Sequence, residues 1–175
     1  VPIMGSSASA IAAAEDRDLF LEALAKLDIP VPPGHAVFKI KDGLEAAKSI
    51  GYPVLLRPSF VLGGRMMHIV YEEEQLKGFL KEAIALNPKH PVLIDKYILG
   101  KESEVDAVCD GTDVFIPGIM EHIERAGVHS GDSVSIYPTY SLTREVQDTI
   151  IDYTTRIGLS LKMVGPFNIQ FVIDK

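Results

Sequence analysis

The sequence has no tryptophan, one cysteine, no excess of basic residues and no apolar run near the length of a membrane span. Each absence removes a class of protein. A lone thiol, Cys109, forms no internal disulfide and no metal cluster, so it reads as an inert, partly buried side chain in a reducing compartment, the cytoplasm. The net charge of -7 argues against nucleic acid as a partner, because binding by counterion release needs a continuous basic surface. With 47% hydrophobic and 23% charged residues and no bilayer-length stretch, the composition is that of a soluble globular chain with no membrane partner. Val1 to Ala14 are small and apolar but lack the basic leading residues of a secretory signal. No repeat, low-complexity tract or charge block divides the 175 residues, which suffice for one domain or two small lobes.

What is present is periodicity and punctuation. Leu19, Phe20, Ala23, Leu24 and Leu27 recur at helical spacing after a serine cap at Ser6, Ser7 or Ser9, until Pro30, Pro32 and Pro33 stop the helix. A strand over 36–40, a helix over 43–50 and a strand over 53–57, ended by Pro58, give an α/β alternation. A strand over 67–71 precedes a helix striped by Leu76, Phe79, Leu80, Ala83 and Ile84. Strands over 91–98, 102–109 and 114–120 follow, the last two joined by the Asp110-Gly111 turn. Residues 121–131 read as a polar loop, 134–137 as a strand, and Thr143 caps a helix lined by Val146, Ile150, Tyr153, Ile157 and Leu161. The chain closes on a strand over 167–173. The pattern predicts a mixed α+β fold with a small central lobe on a larger framework.

Four segments carry possible chemistry. Arg57-Pro58-Ser59-Phe60-Val61-Leu62-Gly63-Gly64-Arg65 sets a cation at a strand end beside adjacent glycines, where a phosphate can approach backbone. A hairpin turn with a surface arginine fits it as well, and it matches neither the P-loop nor the dinucleotide fingerprint. Asp95-Lys96-Tyr97-Ile98 followed by Glu102 is a strand running into a linker, where adenine can bond to backbone and a carboxylate can accept ribose hydroxyls. Glu102, Glu104 and Asp106 also alternate as a solvated strand face would. Residues 121–133 hold His122, His129 and several carboxylates at spacings that match no zinc template, and suit a loop closing over a nucleotide or a plain surface loop. Asn168 and Gln170 share one strand face, from which the Gln170 carbonyl oxygen could serve a hard cation such as Mg²⁺.

In order along the chain, Ala14-Glu15-Asp16-Arg17, Gly51-Tyr52-Pro53, Arg57 to Gly64, Glu104-Val105-Asp106-Ala107, Ile119 to Glu124, Gly127 to Ser133 and Asn168-Ile169-Gln170-Phe171 resemble the ATP-grasp modules of the carbamoyl phosphate synthetase large chain. The first half of that family usually shows Gly-Ile-His-Thr where this sequence has Gly127-Val128-His129-Ser130. The resemblance therefore implies the second half, in which ATP phosphorylates carbamate to carbamoyl phosphate for arginine and pyrimidine biosynthesis. It implies Arg17, Arg57 and His129 as catalytic residues, with the arginines on the phosphates, Gly63 and Gly64 in the glycine loop, and Lys96 and Ile98 on adenine through backbone. Glu102 becomes the ribose carboxylate, Gly127, Val128, His129 and Ser130 the loop beside nucleotide and acceptor, and Gln170 a ligand for Mg²⁺ or Mn²⁺. The implied partners are ATP, carbamate, the rest of the large chain and a glutaminase small chain.

The expected organisation is a partial ATP-grasp domain, with 1–56 as the first part of the framework, 57–98 as the glycine-loop lobe and 99–175 as an incomplete C-terminal lobe. The family's next strand, with a glutamate and an Asn-Pro-Arg stretch that complete the metal site, is not in the sequence, so the chain alone is expected to be inactive. Two other classes compete. One is a different ATP-grasp ligase, such as a biotin carboxylase or a purine-pathway carboxylase; the other is a non-catalytic nucleotide-binding or assembly module.

Overall fold

The computed structural model describes residues 4–58, 67–128 and 132–174. Two compact units divide it: Val1–Val31, Gly100–Arg125 and Val134–Lys175 form the first, and Pro32–Leu99 with Ala126–Ser133 form the second. One boundary falls at 99/100, within a residue of the expected division at 98/99, whereas the expected division at 56/57 lies inside the second unit. The reason is pairing: residues 56 and 57 belong to one strand, Val54–Pro58, whose every residue pairs in the same sheet, so no boundary can run between them.

The second unit is a four-stranded sheet of β1 (Gly34–Val37), β2 (Val54–Pro58), β3 (His68–Val70) and β4 (Val92–Lys96), with α3 (Ile40–Ile50) and α4 (Glu73–Leu86) in the intervening chain. The α/β alternation suggests neighbouring parallel strands, but β4 inserts between β1 and β2 and every pair is antiparallel. Alternate residues of β2 and β4 carry the core: Val54, Leu56, Val92 and Ile94 pack with Leu76, Leu80, Ala46 and Ala47 of the helices. Leu56, Leu76, Leu80 and Ile94 are fully buried, each contributing about 1.5–3 kcal/mol relative to exposure. Gly43 of α3 faces Leu80 so closely that an added Cβ would lie 2.6 Å from Leu80 Cδ1, which is why a poor helix former occupies this turn.

The first unit holds α1 (Ala8–Glu15), α2 (Arg17–Lys26), β5 (Lys101–Cys109), β6 (Val114–Phe115), β7 (Ile119–Arg125), β8 (Ser135–Ile136), α5 (Arg144–Ser160) and β9 (Gly165–Ile173). Ser7 caps α1, and the expected single early helix is two, because Asp16 turns its carboxylate onto the amides of Asp18 and Leu19 and starts α2 afresh. β5 is central. It pairs with β9 along its whole length from Lys101↔Ile173 to Cys109↔Gly165, and with β7 and β6 on its other edge. The strand expected over 114–120 is broken into β6 and β7 by the intervening Pro117-Gly118, and residues 121–125, expected in a loop, continue β7. Val105, Ala107, Ile119, Leu142 and Ile150 form the core on one face of this sheet. Thr143 caps α5 as expected, accepting from the Val146 amide.

Candidate functional site

Strand parity decides what each face of the first unit can do. Residues opposite one another in an antiparallel pair share a face, so Glu102, Glu104 and Asp106 of β5 lie with Val172, Gln170 and Asn168 of β9, and with Met120 of β7. This face is not an array of independent solvated charges. Asn168 Nδ2 donates to Glu104 Oε1 at 2.7 Å and to Asp106 Oδ1 at 2.9 Å. His122 of β7, buried, places Nε2 3.1 Å from Glu104 Oε2 and Nδ1 3.5 Å from Glu102 Oε2. Glu102 and Gln170, both expected at a nucleotide, are thus brought onto one face, Gln170 exposed opposite Glu104.

The reverse face carries a second buried carboxylate. Glu121, next to His122 but pointing the other way, accepts from Lys101 Nζ at 2.6 Å, Ser141 Oγ at 2.5 Å, and the amides of Ser141 and Tyr140 at 2.8 and 3.0 Å. Burial pushes its carboxyl up, but the hydrogen bonds from Lys101 and Ser141 and the Lys101 charge outweigh that and hold it down to about 2. The cluster ties the segment before α5 to β5 and β7. The sequence alone does not reveal it, because the polar run over 121–125 has the composition of a loop. Continuing the strand through those residues would have exposed the alternation of Glu121 and His122.

A cavity of about 330 Å³ in this unit is lined mainly by apolar side chains, among them Phe20, Ile157, Leu161 and Phe167, with Asn168 and Gln170 as its amide members. Its lining suits hydrocarbon or a ring better than a phosphate. Arg17, expected on the phosphates, is half-buried at the first position of α2.

In the second unit Arg57 sits near the end of β2 with Nε and Nη2 both directed at Asp95 Oδ2, 3.0 and 2.5 Å away. Asp95 is 6% exposed and the arginine 43%, so the carboxylate is an anchor and the guanidinium keeps an open side. Lys96 pairs with Val54 and Arg57 with Leu93, which puts the two cations at opposite ends of the β2–β4 ladder. The Lys96 ammonium donates to the carbonyls of Gly51 and Tyr52 at 2.9 and 3.3 Å, so its side chain braces the turn into β2. Its amide donates to the Pro33 carbonyl at 2.7 Å. Ile98, just after β4 in the chain, is half-buried.

Gly127 has φ +98, and an added Cβ would meet Ile69 Cδ1 and Tyr97 Cε2 at 3.2 Å each, so this position needs glycine on both counts. Beside it the buried Tyr97 hydroxyl donates to the Ala126 carbonyl at 2.7 Å, and Val128 is exposed. Gly63, Gly64, His129 and Ser130 lie outside the described residues. Among the described residues no three histidine, cysteine or carboxylate side chains converge as a metal site, and no helix is long and apolar enough to cross a membrane.

Two antiparallel sheets, one braced by helices and carrying a strand-end arginine, the other presenting a polar face of carboxylates and amides, define an ATP-grasp fold. The chain superposes on D-alanyl-alanine synthetase A from Vibrio cholerae O1 biovar eltor str. N16961 with a TM-score of 0.80 and 17% identity, over 100% of this chain and 56% of that one. It superposes on the biotin carboxylase of Campylobacter jejuni, solved as a β-γ-ATP complex, with a TM-score of 0.84 and 23% identity, over 98% of this chain and 40% of that one. It therefore spans about half the length of these proteins or less. Residues 16–175 match the family described as carbamoyl-phosphate synthase L chain, ATP binding domain, and the chain belongs to that family. It is an ATP-binding module of the ATP-grasp ligases.

Proposed function

We propose that this chain is the nucleotide-binding module of the second, carbamate-phosphorylating half of a carbamoyl phosphate synthetase large chain. The observation that carries this reading is the run Glu121-His122-Ile123-Glu124 followed by Gly127-Val128-His129-Ser130, which resembles that half and not the Gly-Ile-His-Thr of the first.

Phosphoryl transfer from ATP asks a protein for position and charge neutralisation more than for a covalent nucleophile. Arg57, oriented by Asp95, and Arg17 are the cations for the phosphates. Lys96 and Ile98 offer backbone to adenine, and Glu102 accepts the ribose hydroxyls. Gly63 and Gly64 cover the phosphates, while Gly127, Val128, His129 and Ser130 stand beside the acceptor. Gln170 would hold Mg²⁺ or Mn²⁺: it is an exposed oxygen donor on the same strand face as Glu102, the donor chemistry a hard cation prefers. When bound, the ion neutralises phosphate charge. The rest of the large chain and a glutaminase small chain complete the reaction path, which leads to arginine and pyrimidines.

The test is the acceptor. Protein containing this chain, given MgADP and carbamoyl phosphate, is expected to form ATP, the reverse of the proposed transfer. The same protein given MgATP with biotin and bicarbonate, or with D-alanine, is expected to release no ADP above background. No ATP from carbamoyl phosphate and MgADP, or ADP release that depends on biotin or on D-alanine, would overturn the carbamate assignment in favour of another ATP-grasp ligase or an assembly module.

A further inference from the structure

We propose that His122 is a positioning residue that orients Glu102, and that this pairing makes the site selective for ribonucleotides over deoxyribonucleotides. The inference rests on the reading of Glu102 as the ribose carboxylate.

Glu104 has both oxygens occupied within the sheet, Oε1 by Asn168 and Oε2 by His122 Nε2. Asn168 in turn holds Asp106. These bonds fix Glu104 and the imidazole it faces, and the imidazole has nowhere else to turn, its side chain being only 1% exposed. Its other nitrogen, Nδ1, is buried and makes no hydrogen bond among the described residues, yet Glu102 Oε2 lies 3.5 Å from it. A small rotation of Glu102 closes that gap. The Glu102 side chain is 16% exposed, so it borders both the imidazole and solvent.

This arrangement matters for a diol. Two hydroxyls on adjacent ribose carbons are received together at lower entropic cost by a carboxylate whose plane is already set, whereas a mobile glutamate must lose rotamer freedom on binding. The wall of Glu104 and His122, itself locked from β9 by Asn168, stands beside that carboxylate before any ligand arrives, a small rotation from fixing its plane. His122 acts through Glu102 and is not itself a catalytic residue. A polar group built to receive a hydroxyl also discriminates strongly against the analogue that lacks it. The selectivity therefore belongs to the pair.

The experiment is calorimetric titration of protein containing this chain with a non-hydrolysable ATP analogue and its 2′-deoxy counterpart, both with Mg²⁺. The unaltered protein is expected to prefer the ribonucleotide at least tenfold. Glu102→Ala and His122→Ala are each expected to bring the ratio to within about twofold, the ribonucleotide losing far more affinity than the deoxy analogue, which offers the carboxylate only its 3′-hydroxyl. His122→Gln, which keeps a donor and much of the volume, recovers part of the ratio. A second readout needs no variant: the His122 imidazole nitrogen resonances shift further with the ribonucleotide than with the deoxy analogue.

A ratio that collapses in Glu102→Ala but survives in His122→Ala overturns the role of His122 alone. Equal weakening of both nucleotides by His122→Ala, or equal resonance shifts with both, reduces His122 to a structural residue and overturns the proposal. No nucleotide binding by the unaltered protein overturns both this proposal and the reading of Glu102 beneath it.

Discussion

Arg57 directs two nitrogens at a single oxygen of Asp95, at 3.0 and 2.5 Å, across a diagonal of the β2–β4 ladder. A carboxylate buried beneath a half-exposed guanidinium orients the fork without covering it. Arg57→Ala is expected to weaken binding of a MgATP analogue tenfold or more. Asp95→Asn, which removes the anchoring charge but leaves the cation, should weaken it less. Calorimetry on both variants checks the order, and an Asp95→Asn effect as large as that of Arg57→Ala would show that Asp95 does more than orient.

Glu121 sets an acid limit on the first unit. Its carboxyl is held down to about 2 from an ordinary 4.5, so the charged form is favoured in the folded state. The sign follows from linkage: the stabilisation is complete above about pH 4.5 and is lost as pH falls toward about 2. The shift corresponds to about 3 kcal/mol. Glu121→Gln should be the less stable protein at pH 7, with the two unfolding curves converging below pH 3. Asp110, also held down to about 2 by hydrogen bonds from Asp113 and Thr112, titrates in the same range, so the difference between the curves is the quantity to measure.

Two glycines make opposite predictions. An added Cβ at Gly100 would lie 2.1 Å from the Ile173 carbonyl oxygen, a backbone atom that cannot swing away. Gly100→Ala must push β5 from β9 where Lys101 pairs with Ile173, at a cost of about 2 kcal/mol or more. At Gly78, on the exposed side of α4, a Cβ would meet nothing within 4 Å. Gly78→Ala should stabilise by about 0.5–1 kcal/mol through helix propensity. Urea unfolding of the two variants checks both signs.

Tyr97→Phe removes the buried donor to the Ala126 carbonyl. Leaving that acceptor unmet should cost about 1–3 kcal/mol, visible as a lower unfolding midpoint with little change in slope. An unchanged midpoint would mean the carbonyl finds another partner.

The sequence marked α4 of the second unit, because Leu76, Leu80 and Ala83 recur at helical spacing, and the β5–β6 turn of the first, because Asp110-Gly111 is an unambiguous hairpin signal. It also put Glu102, Glu104 and Asp106 on one strand face and Asn168 with Gln170 on another. What it lacked was pairing. No periodicity within one strand says that β9 lies against β5, so the Asn168 bonds to Glu104 and Asp106 were invisible. The bulge between Lys101 and Ser103 and the polar run of residues 121–125 disguised β7 as a loop, which hid His122 and Glu121. Likewise, nothing local shows that Asp95 orients Arg57, or that the Lys96 ammonium turns back to Gly51 and Tyr52. Side chains that act through a neighbour on another strand become legible only once register is known.

The second unit takes Ala126–Ser133 from beyond an entire sheet-forming stretch of chain. A gene segment encoding only Pro32–Leu99 is therefore not a transplantable cassette. Grafted elsewhere, it would carry the Tyr97 hydroxyl without the Ala126 carbonyl, and Ile69 without the glycine that packs on it. Either the host must supply those eight residues or they must be added as a separate peptide, whose docking on the graft would report whether the unit had closed.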